Sequence, residues 1–190
     1  MRSSIKIGLF FTFILIAIRL VFYFVKIEIS EKPIMLLSMF FITASSSIGL
    51  YISKRAQRQY NTLIDDLKTA MAPAMIFTVL ASGFSYVYYN NINSEYIANK
   101  LKEEEIRWDN VDNIKAIKLK NPIAYDNLSN DEIKSQQLNT AKTLLSPSFN
   151  MSISLLIMSI WAILNGLVLG LIFRKVIFKD YFESVSPKES

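Results

Sequence analysis

Neither cysteine nor histidine occurs anywhere in these 190 residues. The two absences exclude disulfides, Cys/His zinc sites, iron–sulfur clusters, haem held by protein His or Cys, and an imidazole base. Glycine is scarce, at five residues, and none belongs to a phosphate-cradling loop. There is no G-x-S-x-G and no H-E-x-x-H. Glu103, Glu104 and Glu105 are adjacent, but consecutive helix positions point to different sides, so they predict a solvated face rather than a metal site. The expectation is a chain without metal or cofactor that is not an enzyme.

What is abundant is apolar: 52% of residues are hydrophobic against 19% charged, and they come in blocks. The longest block, Phe149 to Phe173, runs 25 residues without charge or proline and is closed by Arg174 and Lys175. As a helix rising ~1.5 Å per residue it is longer than the ~30 Å hydrocarbon layer of a bilayer. Three further runs fall at about 7–25, 34–52 and 70–89. Pro33 and Pro73 stand where a helix start tolerates them, because first-turn N–H groups need no partner within the helix. The first run has the form of a secretory signal, yet Arg19 splits it and no small-x-small cleavage site follows, so it reads as an uncleaved span. The pattern predicts an all-α integral membrane four-helix bundle, with a polar loop at 53–69, a helical extramembrane segment at 90–148 between spans three and four, and a tail at 174–190.

Within the polar segment, Ser94 is placed to cap a helix running to Trp108, and Ser129 to Glu132, SNDE, has capping-box spacing ahead of Ile133, Gln137, Ala141 and Leu144. No period is clear from 109 to 127, which predicts loop. Tyr86, Tyr88 and Tyr89 predict an interfacial aromatic belt. The sequence after Phe173, RKVIFKDYF, predicts an amphipathic continuation with Val176, Ile177, Tyr181 and Phe182 toward lipid.

An intramembrane charge is a functional hypothesis by default, and Arg19 is the only charge within the four apolar runs, which hold no Asp or Glu. Near the outer end of its span it can reach a lipid phosphate, carbonyls, Tyr23, or an outer carboxylate such as Glu28 or Glu95. Arg19 and Tyr23 are therefore the candidate site for an anionic lipid or ligand. Small and polar residues recur at helical spacing on each span: Gly8, Thr12, Arg19 and Tyr23; Ser38, Ser45 and Gly49; Thr78, Ser82, Ser85 and Tyr89; Ser159, Ala162, Gly166 and Gly170. Such residues let backbones approach where lipid supplies no hydrophobic drive, and Asn165 is placed for an interhelical hydrogen bond. The expected partners are the lipid bilayer and another membrane protein or a second copy. A nucleic-acid partner is not expected, since the net charge of +5 is what a positive-inside bias produces.

The layout resembles a bacterial family of four-span membrane proteins of unknown function, found mainly in the Bacteroidetes group. The residues that carry the likeness are YVYYNNINSEY at 86–96, the helical extramembrane loop, and GLVLGLIFRK at 166–175. The resemblance implies an inner-membrane address and four helices, and it brings no catalytic residues. The activity expected is that of an accessory or scaffolding subunit; the alternative is a small transporter or lipid-handling protein recognising an anion through Arg19.

Four spans put both termini on one side. Ten Lys and Arg flank the spans on each side, but Arg107, Lys115, Lys118 and Lys120 stand deep in the long segment, where their weight in the positive-inside rule is small. Both termini are thus expected in the cytoplasm. A reporter fused after Ser190 should be active only inside the cell, and activity outside would invert the arrangement.

Overall fold

The computed structural model describes residues 2–27, 30–56 and 62–177. Among these the chain is all-helical: α1 Arg2–Phe24, α2 Glu31–Ala56, α3 Leu63–Val87, α4 Ser94–Asp109, α5 Val111–Lys120, α6 Pro122–Tyr125, α7 Asn130–Leu144 and α8 Pro147–Ile172. Wider π-type turns occupy Tyr88–Ile92 and Phe173–Ile177. Four helical stretches, Ser3–Phe24, Glu31–Arg55, Leu63–Ile92 and Pro147–Ile177, are long and apolar enough to cross a membrane. The chain divides into two compact units, Met1–Phe84 with Ser154–Ser190, and Ser85–Ile153.

In the first unit the helix ends have local causes. Helix α1 stops where Lys26 takes a left-handed φ of 56°, its N–H bonding to Tyr23 O and that of Ile27 to Phe22 O, a Schellman arrangement that satisfies the last carbonyls. Helix α3 begins at Leu63 because Thr62 and Asp65 cap each other: Asp65 Oδ2 accepts from Thr62 N and Oγ1, and Asp65 N donates to Thr62 Oγ1. This corrects the expectation for Pro73. It lies inside the helix rather than in its opening turn.

Phe11 meets Phe41 at 5.4 Å and Phe41 meets Phe77 at 6.1 Å between ring centroids, which sets α1 against α2 and α2 against α3. Trp161 Nε1 donates to Met39 O at 3.2 Å, and Thr43 Oγ1 lies 3.0 Å from Asn165 Oδ1, so α8 runs parallel to α2. The most apolar 18-residue windows of α2 and α3 are each 44% buried, against 28% for that of α1 and 22% for that of α8. The α2–α3 pair is therefore the centre of this unit, flanked by the other two.

The second unit has its own small core of Trp108, Ile114 and Ile133, supported by Ile117, Tyr125, Leu128 and Leu138. Residues 109–127, expected to be loop, form α5 and α6. Asn110 caps α5 through its side chain, and Pro122 occupies the first turn of α6. Helix α4 starts at Ser94 as a helical residue, with Asn93 before it and no side-chain cap. Tyr88 and Tyr89 are buried and stacked edge-on at 5.1 Å, with Tyr96 5.5 Å from Tyr89, so only Tyr86 of the expected belt is exposed. The π turn accounts for this by rotating the two rings out of the α3 register. Lys134 bridges to Asp109, and that hydrogen bond holds its ammonium above the usual lysine range. The continuation expected after Phe173 is described as far as Ile177; Tyr181, Phe182 and Glu28 lie outside the described residues.

The capping box at Ser129 is formed: Glu132 Oε2 accepts from Ser129 N at 2.7 Å, and Ser129 Oγ accepts from Glu132 N at 3.2 Å. The backbone N–H, then the hydroxyl, hold the Glu132 carboxyl below its ordinary range. A depressed carboxyl stabilises fully above its unfolded pKa, and that contribution is lost as pH falls through the folded pKa. Ser129→Ala should cost about 1 kcal/mol at neutral pH. In thermal melts the gap to wild type should shrink under acid conditions, where Glu132 is protonated in both.

Candidate functional site

Helix α2 continues past Leu50 to Lys54, α3 opens with Asp66 in its first turn, and the π turn that follows α8 carries Arg174. The three side chains converge. Lys54 Nζ lies 2.5 Å from Asp66 Oδ1, and Arg174 Nε donates to Asp66 Oδ2 at 2.6 Å. The Asp66 side chain is 1% exposed and that of Lys54 3%, while Arg174 retains 20%. Both carboxylate oxygens thus face a cation in a place from which water is excluded. Gly170 passes close by, since a Cβ there would stand 3.4 Å from Leu63 Cδ1 and 3.8 Å from Asp66 Cβ, ordinary van der Waals contact.

A second ionic pair lies where α1 meets α2. Arg19 is buried, and its Nη2 is 3.6 Å from Glu31 Oε2. One carboxylate that meets Arg19 is thus the one that opens α2. Tyr23 is partly exposed and packs edge-on against Phe24 at 5.6 Å. Glu31, Asp65 and Asp66 lie in the opening turns of membrane-length helices, just outside the apolar runs read from the sequence.

The small residues turn inward. Gly8, Thr12, Ser38, Ser45, Gly49, Thr78, Ser82, Ser85, Ala162, Gly166 and Gly170 are buried, and Ser159 is half-buried. A Cβ on Gly49 would be 2.7 Å from Pro73 Cγ, and one on Gly166 would be 2.8 Å from Leu67 Cδ1. Both glycines are spent on contacts within the chain. Thr12, Ser38 and Ser45 return their hydroxyls to carbonyls of their own helices. The Thr43 hydroxyl is also 3.0 Å from Met39 O, so Asn165 accepts a shared proton from Thr43 and donates to Trp161 O.

Asp66, Lys54, Arg174 and Glu31 were not legible as a site, because hydropathy trims each span to its apolar stretch and leaves them in loops. The signal that finds Asp66 is the Thr62-x-x-Asp65 cap, which moves the start of α3 upstream of it. Among the described residues no group of three or more His, Cys, Asp or Glu is placed to hold a metal ion.

A family profile described as "Protein of unknown function (DUF4199)" matches residues 6–175. No curated protein and no solved structure matches the chain.

Asp66→Asn removes the carboxylate between two cations, and losing one member of a buried ion pair costs about 3–5 kcal/mol. Reversible unfolding in mixed detergent micelles should show that loss. Replacing the whole cluster with Lys54→Met, Asp66→Leu and Arg174→Met should restore most of it, because a packed apolar set needs no compensating charge.

Proposed function

The chain belongs to the family described as a protein of unknown function (DUF4199), and from that premise we propose that it is an accessory or scaffolding subunit of a membrane complex. In this reading it is a multi-pass protein of a bacterial inner membrane, has both termini in the cytoplasm, and has no catalytic task of its own. The observation that supports it is that buried charge is answered inside the chain. Arg19 faces Glu31, and Asp66 faces Lys54 and Arg174. These groups fasten helices to each other.

Placing the cytoplasm beside the cluster agrees with the exposed Arg55, Lys68 and Lys175, which stand at that same end of α2, α3 and α8. The small-residue stripes are used internally, so the surface left for a partner is the outward apolar face of the flanking helices. Phe10, Phe13 and Val21 on α1 and Leu156, Leu164 and Val168 on α8 are all more than half exposed. The alternative, a transporter or lipid-handling protein, requires an anionic ligand to displace Glu31 from a buried guanidinium. It carries that additional cost.

Because the chain has no native cysteine, Phe13→Cys and Leu164→Cys each supply a unique crosslinking site. In native membranes at least one should crosslink to a protein in fixed stoichiometry, and that pair should survive mild detergent. Adducts only to lipid at both positions would remove the scaffold reading. Loss of a bound anionic lipid or solute in an Arg19→Gln variant that still folds would favour the alternative.

A further inference from the structure

Between Asp112 and Asp126 the chain reads NIKAIKLKNPIAY, with three lysines and no carboxylate. The rest of the Ser85–Ile153 unit carries five basic residues against nine acidic ones, so positive charge is concentrated on α5, next to the uncharged α6. The same stretch exposes two large aliphatic side chains. Leu119 is 83% exposed and Ile123 97%.

Neither exposure comes from a loose segment. Ile114, Ile117 and Tyr125 on the inner side of α5 and α6 pack into the core of the unit. Asn121 N bonds to Ile117 O, Asp126 N bonds to Pro122 O, and Tyr125 Oη accepts from Gln137 of α7 at 3.1 Å. Lys118 is drawn inward to donate to Leu128 O, whereas Lys115 and Lys120 point into solvent. An ordered corner therefore presents two aliphatic side chains beside two exposed ammonium groups, that of Lys115 also lying 3.8 Å from the exposed Asp112 Oδ1.

We infer that the Leu119–Ile123 corner docks onto an anionic lipid surface, the aliphatic side chains entering among the acyl chains and Lys115 and Lys120 meeting headgroup phosphates. The residue types choose this occupant over a protein. Protein interfaces are depleted in lysine, and their strongest contacts are made by Trp, Tyr and Arg with few from leucine. Aliphatic residues bordered by lysine are the composition of segments that lie at a membrane interface. The unit's chain enters from α3 and leaves into α8, both of membrane-spanning length, so a bilayer is tethered to it at both ends. The inference needs only those spans. It does not require a partner protein.

The test uses the full-length chain with one introduced cysteine, Ala124→Cys, carrying an environment-sensitive fluorophore. The protein is reconstituted into nanodiscs of phosphatidylethanolamine with phosphatidylglycerol, or of phosphatidylcholine alone. In the anionic discs the probe should shift to the blue, be quenched by nitroxide-labelled lipid, and lose several-fold in iodide quenching relative to detergent. High salt or Lys115→Gln with Lys120→Gln should weaken that protection, and Leu119→Asp with Ile123→Asp should abolish it. Because the last two side chains are exposed, their replacement leaves the core intact, which the helical circular dichroism of the variant verifies. Equal iodide access in anionic discs and detergent would overturn the inference. So would protection that persists in the Asp variant, or that arises only when a second protein is added.

Discussion

In lipid an apolar side chain gains nothing by turning inward, so the space between helices is allotted by other criteria. One is how near two backbones can come; the other is which groups hydrocarbon will not tolerate. The membrane-length helices obey both. Gly8 lies under Ile76 and Pro73, Gly49 on Pro73, and Gly166 on Leu67 and Met71, with hydroxyl residues around them. Phe10, Phe13, Phe24, Leu36 and Phe40 stay outside, where in water they would be a liability. The buried Phe11, Phe41 and Phe77 fill the gaps between α1, α2 and α3 where no glycine draws the backbones together.

The same constraint explains the ionic groups. A charge exposed to hydrocarbon is costly, so each must either reach the headgroups or find its opposite inside. Arg19 and Glu31 tie α1 to α2, and Lys54, Asp66 and Arg174 tie α2, α3 and α8. Desolvation consumes much of the attraction in such pairs, so their net stabilisation is small. Their effect is on register. Sliding α3 by one turn relative to α2 or α8 would carry Asp66 away from a cation in a dry place, and few alternative packings survive that penalty.

The polar unit follows the rules of a protein in water, and there local signals were legible in part. SNDE at 129–132 read directly as a capping box because its partners are three residues apart. The helices at 111–125 did not. Their inward residues Ile114, Ile117 and Tyr125 are too few to show a period, and they hold because Trp108 and Ile133 arrive from α4 and α7. The tyrosines after Val87 misled for a related reason: a π turn, invisible in the composition, moved Tyr88 and Tyr89 from a supposed belt into a stack with Tyr96.

Four membrane-length helices, and a polar unit between the third and fourth, followed from the sequence by itself, because an apolar run is a one-dimensional property that needs no knowledge of its neighbours. The inward-facing stripes were legible for the same reason, as each repeats on one helix. Only the tertiary structure decided what those stripes touch, that Gly166 serves α3 of the same chain, and that Asp66 belongs to the bundle and not to a loop. Those outcomes depend on residues brought together from as far apart as Lys54 and Arg174. Hydropathy scores each of those charges alone, as though no opposite charge would arrive to make its burial tolerable.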